Sequence, residues 1–138
     1  MTKSELRDRL DRISDLDTRI RIMDVKIERY EATAQGHAIR YDVDKVQTSA
    51  SDPVAAAIEK LSGLLDARRR LQVELTAAIA DVADLLECVS DSKRRLVMHY
   101  RYIGLLPWRE IAQRMSYAER HVFRMHDEAF DEIFQKCQ

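Results

Sequence analysis

Between residues 101 and 126 the chain reads RYIGLLPWREIAQRMSYAERHVFRMH, with five arginines, two histidines and the single tryptophan of the sequence. Three chemistries use such residues: metal or acid–base work at the histidines, a hydrophobic hinge, and the gripping of a polyanion. His99, His121, His126 and Cys137 match no standard ligand spacing. His121 and His126 are five residues apart, roughly 140° around a helix, so they do not share a face. Nucleophilic catalysis is equally unsupported. The sequence shows no Ser-His or Cys-His pairing with an evident orienter, no glycine-rich phosphate loop and no paired carboxylates beyond ordinary helix faces. The expectation is a protein without enzymatic activity, cofactor, metal or small-molecule substrate.

The polyanion reading fits the charge. The 138-residue chain has a net charge of -1, but residues 1–90 sum to −3 and residues 91–126 to +5. Basic charge is concentrated in and just before the arginine-rich stretch, a modest electrostatic footprint. No run approaches the ~20 apolar residues of a membrane span, and the N-terminus is charged from the start. The expectation is a soluble, unexported chain with no membrane partner. Cys88 and Cys137 lack CxxC or zinc-finger spacing and read as reduced thiols in a cytoplasmic setting.

The elements that must position the arginines are helical. Three glycines and two prolines with 34% charged residues leave few turns. Leu6, Ile13, Ile20, Ile27 and Ala34 recur every seven residues, with Leu16, Met23 and Tyr30 at the offset position and Arg9 as the interruption. Residues 3–34 therefore predict one long helix with a narrow apolar seam that needs a partner. Gly36, QTSASD and Pro53 give residues 35–52 linker chemistry, with a short turn around IRYDVDKV. Asp52-Pro53 opens a second helix reaching about residue 89. Its wider stripe comprises Leu61, Leu64, Leu65, Leu71, Leu75, Ile79, Val82, Leu85, Leu86 and Val89, broken only at Arg68. Such width predicts self-association or contact with the C-terminal part. The Arg68–Arg70 run reads as a solvated face rather than a phosphate site.

Ser90-Asp91 is a fresh cap signal, followed by an expected helix over 92–103 with Leu96, Val97, Tyr100 and Ile103 inward and Gly104 as its terminator. A helix over 107–115 would bury Trp108, Ile111, Ala112 and Met115. A turn at Ser116-Tyr117 leads to a third helix, to about 135, with Val122, Met125, Ala129, Phe130 and Ile133 inward. Two short helices joined by a tight turn, a small alanine facing a valine, describe a helix-turn-helix. Its core would be Trp108, Ile111, Ala112, Val122 and Met125. Glu119, Arg120, His121 and Arg124 then lie at the N-terminal end of the last helix, where a recognition helix meets base edges. Arg94, Arg95, Arg101, Arg109 and Arg114 flank them as phosphate contacts. Tyr117 and Phe123 stay open between core and surface roles.

YRYIGLLPWREIAQRM and HVFRMHDEAFDEI resemble the region-4 helix-turn-helix of sigma-70-type factors. The whole chain resembles small phage-encoded proteins related to late-gene transcriptional activators, through the motifs at Trp108–Ala112 and Tyr117–His126. That resemblance implies that Glu119, Arg120, His121 and Arg124 face DNA. Ser116 departs from it where a turn glycine is usual, and Pro107 and Ala118 replace the usual Ser/Thr caps, while Glu110 keeps the acidic half of a capping box. The expected architecture is all-α: a coiled-coil-like N-terminal hairpin over 1–89 that oligomerises, then a three-helix helix-turn-helix module over 90–138. The expected function is sequence-specific transcription regulation on double-stranded DNA in the host cytoplasm. Two rivals remain. One is a small terminase-like DNA-packaging subunit. The other is an interaction protein that docks on host RNA polymerase without reading DNA.

Overall fold

A computed structural model describes residues 1–40 and 52–138, and among these the chain is helical with no strand. Six α-helices follow in order: α1 Lys3–Leu10, α2 Arg12–Arg40, α3 Pro53–Leu86, α4 Ser92–Met98, α5 Trp108–Met115 and α6 Glu119–Lys136. A single π-helical turn, His99–Ile103, extends α4. No helix among the described residues is long and apolar enough to cross a membrane.

The expected first helix is two helices in nearly continuous register. Thr2 and Glu5 form a reciprocal capping box that starts α1, and the chain opens at Asp11 (φ −81°, ψ −3°) before α2. The seam survives this opening, because Leu6, Ile13, Leu16, Ile20 and Ile27 are all buried. Leu10, outside the heptad pattern but four residues on from Leu6, is also buried. Gly36 does not end the helix: α2 continues to Arg40, and the rest of the expected linker and turn, residues 41–51, lies outside the described residues. One glycine costs a helix only about 1 kcal/mol, which its neighbours can offset.

α3 starts where Asp52 Oδ1 accepts from the Val54 N–H at 3.0 Å. It stops at Leu86, three residues short of expectation, in a turn where the Cys88 and Val89 N–H groups bond Leu85 and Leu86 carbonyls. The predicted stripe is only partly covered. Val82, Leu85, Leu86 and Val89 are buried, whereas Leu65 and Ile79 remain 45% and 39% exposed. Both cations that interrupt the seams find carboxylates: Arg9 on Asp81 at 2.7 Å and Arg68 on Asp24 at 2.6 Å.

The described residues cluster into two compact units: Met1–Asp15 with Leu75–Gln138, and Leu16–Glu74. The division expected at residue 89 does not coincide with this clustering. In the first unit, α1 joins the C-terminal helices through Lys3 on Asp131 at 3.2 Å and Arg7 over the Phe130 ring at 5.5 Å. In the second, the Asp24–Arg68 pair ties α2 to α3.

Candidate functional site

α4 begins with Asp91 as N-cap, its carboxylate accepting from the Arg94 N–H at 2.9 Å. The helix then widens into the π turn rather than continuing as α-helix to residue 103. Met98 is fully buried and Leu96 is 42% exposed, the reverse of the expectation for Leu96. Gly104 does follow the turn, but at φ −75°, so left-handed freedom is not its role. A Cβ there would lie 2.9 Å from the Tyr100 carbonyl oxygen, so glycine is required by close approach. The left-handed residue is Leu105, at φ 56°.

α5 starts at Pro107 (φ −66°, ψ 152°), whose fixed φ suits the position and whose carbonyl accepts from the Glu110 and Ile111 N–H groups. It ends at Ser116, which is left-handed at φ 59°, ψ 40°. The Tyr117 N–H reaches back to the Ala112 carbonyl at 3.0 Å, the 6→1 bond of a Schellman ending. α6 starts at Ala118, and neither Pro107 nor Ala118 supplies a side-chain cap bond.

The residues expected at the core of this pair come together. Ile111, Ala112, Val122 and Met125 form one buried cluster with Val97, and Trp108, Tyr100, Leu106, Met115 and Tyr117 pack against it. Ala112 is small enough to let α5 and α6 close on each other, and Val122, fully buried, fills that angle. All five inward residues expected on α6, Val122, Met125, Ala129, Phe130 and Ile133, are buried.

The charged residues divide into two sets. Glu119, Arg120 and Arg124 are exposed on the first turns of α6. His121 is half-buried, its ring edge-to-face with Tyr117 at 4.6 Å. Phe123 is 42% exposed and rests against Trp108 at 5.1 Å. Of the five arginines expected at phosphates, four have partners inside the protein. Arg94 pairs with Glu128. Arg95 donates from Nε and Nη2 to the Val89 carbonyl at 3.0 and 2.8 Å, bracing the turn between α3 and α4. Arg101 lies over the Trp108 ring at 4.3 Å and donates to the Leu106 carbonyl. Arg114 holds Glu110 at 3.0 Å. Arg109 is exposed, and no intramolecular ion pair holds it among the described residues.

One polar group was invisible to spacing arguments. His126 lies among Trp108, Phe130 and Tyr102, with the Tyr102 hydroxyl 2.6 Å from Nε2 and Asp127 Oδ1 3.1 Å from Nδ1. Burial pushes the imidazole below its ordinary range, partly opposed by Asp127, and pushes the Tyr102 phenol up to about 12. Because the Asp127 carboxylate can only accept, the neutral ring carries its proton on Nδ1 toward it and accepts a hydrogen bond from the Tyr102 hydroxyl at Nε2. This is a bracing arrangement, and no group of three or more metal-binding side chains converges among the described residues. His126 and Tyr102 are 24 residues apart and share no motif spacing, so only the fold brings them together.

Comparison with known proteins returns no matching family model, no matching curated protein and no matching solved structure.

Proposed function

We propose that this chain is a sequence-specific double-stranded DNA-binding transcription regulator of the phage late-gene type, with α5, the Ser116 turn and α6 acting as its helix-turn-helix. One observation carries this reading. The α5–α6 pair closes on Ile111, Ala112, Val122 and Met125 while Glu119, Arg120 and Arg124 stay exposed at the N-terminal end of α6. In a recognition helix that end meets base edges, and arginine is the commonest bidentate partner of guanine. In this reading Arg109, exposed at the start of α5, contacts phosphate. Arg94, Arg95, Arg101 and Arg114 make contacts within the chain, so in this reading Arg109 comes before them as a phosphate contact. Self-association through the long helices belongs to the same reading, supported by Ile22, Val25, Ile58, Leu65 and Val73, each 45–67% exposed in the second unit.

The test is fluorescence anisotropy of the full chain on cognate genomic fragments across a salt series. Arg120→Ala and Arg124→Ala are expected to lose about 1–3 kcal/mol on a specific site and to relax its sequence preference. Arg109→Ala is expected to weaken specific and non-specific duplexes alike, with a salt slope shallower by about one. Unchanged affinity in all three variants, each folded by circular dichroism, rejects the reading. The second reading, a dock on host RNA polymerase, is favoured by the internal commitment of four arginines and by the half-exposed Phe123. It predicts no salt-steep DNA binding and a Phe123-dependent polymerase complex.

A further inference from the structure

The chain holds two cysteines, and neither was expected to do more than sit reduced. Cys88 lies in the turn after α3 and Cys137 at the C-terminal end of α6, 49 positions apart, with their sulfur atoms 3.1 Å from each other. Other bonds hold the two ends together without help from sulfur. Lys136 Nζ donates to the Cys88 carbonyl at 2.9 Å and to Glu132 at 2.7 Å. The same Glu132 oxygen accepts from the Ser90 N–H at 2.9 Å. Leu86, Val89 and Ile133, fully buried, sit one to four residues from the two cysteines. Backbone and side-chain anchors thus bring the thiols within hydrogen-bonding distance of each other before any oxidation.

We propose that Cys88 and Cys137 are a reversible modification site: a dithiol that a low-molecular-weight disulfide oxidises to an intramolecular disulfide. The inference is independent of DNA binding. One protein thiolate attacks a sulfur of the small disulfide RSSR, breaks its S–S bond and releases RS⁻, leaving a mixed disulfide. The second protein thiolate attacks the protein sulfur of that mixed disulfide and releases the second RS⁻. The two protons lost by the cysteines end on the released thiols, so protein dithiol plus RSSR gives protein disulfide plus 2 RSH. Cys137 is half-buried, and burial pushes its thiol up, so exchange speeds up as the solution is made alkaline.

The bond would close residues 88–137 into one covalent loop enclosing α4, α5 and α6. Cross-links across long loops restrict the unfolded chain most, so oxidation would stabilise this whole segment. It would leave Glu119, Arg120 and Arg124 untouched at the opposite end of α6.

The test is incubation of the full-length protein with oxidised glutathione, followed by intact-mass analysis and thermal melting. The expected product has lost two hydrogens, carries no glutathione, remains a single chain on a non-reducing gel and melts at least about 5 °C higher. Dithiothreitol should reverse both changes. Cys88→Ser and Cys137→Ser, checked for folding by circular dichroism, should each show a glutathione adduct or no product, and no rise in melting temperature. Three outcomes overturn the proposal: stable glutathione adducts on the wild type, cross-linked dimers, or two thiols that stay free in the folded protein while reacting in denaturant.

Discussion

At its N-terminal end α6 turns Glu119, Arg120 and Arg124 to solvent, and its N-cap, Ala118, makes no side-chain bond. At its C-terminal end Glu132, Lys136 and Cys137 all engage the turn after α3, and Ile133 is fully buried among them. Both ends carry charge, yet only one spends it within the molecule. The difference separates residues that hold the fold from residues exposed to solvent, and it does so within one helix of uniform backbone. Surface ion pairs contribute little, typically 0–1 kcal/mol. The C-terminal end therefore owes its strength mainly to the apolar residues beneath the pairs.

The largest expected effect breaks that contrast or confirms it. Ile133→Ala removes a fully buried side chain and should cost about 2–5 kcal/mol in urea unfolding. Arg120→Ala and Arg124→Ala, at the other end, should stay within about 0.5 kcal/mol of wild type. A comparable loss in all three would mean that the exposed arginines are structural and the N-terminal end has no spare surface.

Next comes the bracing chain in the middle of α6. Tyr102→Phe keeps the ring but strips His126 Nε2 of its donor, a buried loss expected to cost about 1–3 kcal/mol. The pH dependence follows from the lowered imidazole. Between its folded value and the ordinary value of about 6.5, the unfolded chain binds the extra proton. The contribution of His126 is thus complete above that ordinary value and falls away as the pH drops through the folded one. In urea titrations from neutral to mildly acidic pH, His126→Gln should flatten that decline. An unchanged slope would place the acid sensitivity elsewhere. Glu132, held down to about 2 by Lys136 and Ser90, loses its contribution only at lower pH, as its carboxylate is protonated.

These effects mark where sequence patterns were legible. The heptad leucines and isoleucines and the α5–α6 core are local signals, repeated every three, four or seven residues, and periodicity exposes them. Leu6, Ile13, Ile20 and Ile27, like Ile111, Ala112, Val122 and Met125, were readable in that way, and all are buried. Arginine pairing was not readable. Whether Arg94 meets Glu128 or a phosphate depends on a contact between α4 and α6, which no spacing encodes. The π turn was hidden for a related reason: the hydrogen bonding of His99–Ile103 leaves no mark in a periodicity of apolar residues, and Leu96 and Met98, exposed and buried, are both apolar. The Tyr102–His126 bond and the Cys88–Cys137 contact are long-range in sequence, products of the fold rather than of any motif.

The smallest expected effect concerns the turn that feeds the exposed end. Ser116 is left-handed at φ 59°, a conformation that costs a residue with a Cβ roughly 1–2 kcal/mol. Glycine adopts it freely but brings more entropy to the unfolded chain, an opposing effect of about 0.4–1 kcal/mol. Ser116→Gly should therefore gain from a few tenths to about 1 kcal/mol in urea unfolding, whereas Ser116→Ala, with its Cβ retained, should gain nothing. Gly104 supplies the opposite case. Its φ of −75° suits any residue, but a Cβ would come 2.9 Å from the Tyr100 carbonyl oxygen, so Gly104→Ala should destabilise. A gain at Gly104 would mean that the Tyr100 carbonyl gives way to a Cβ, and a loss at Ser116 would mean that the entropy of the unfolded chain outweighs the left-handed strain.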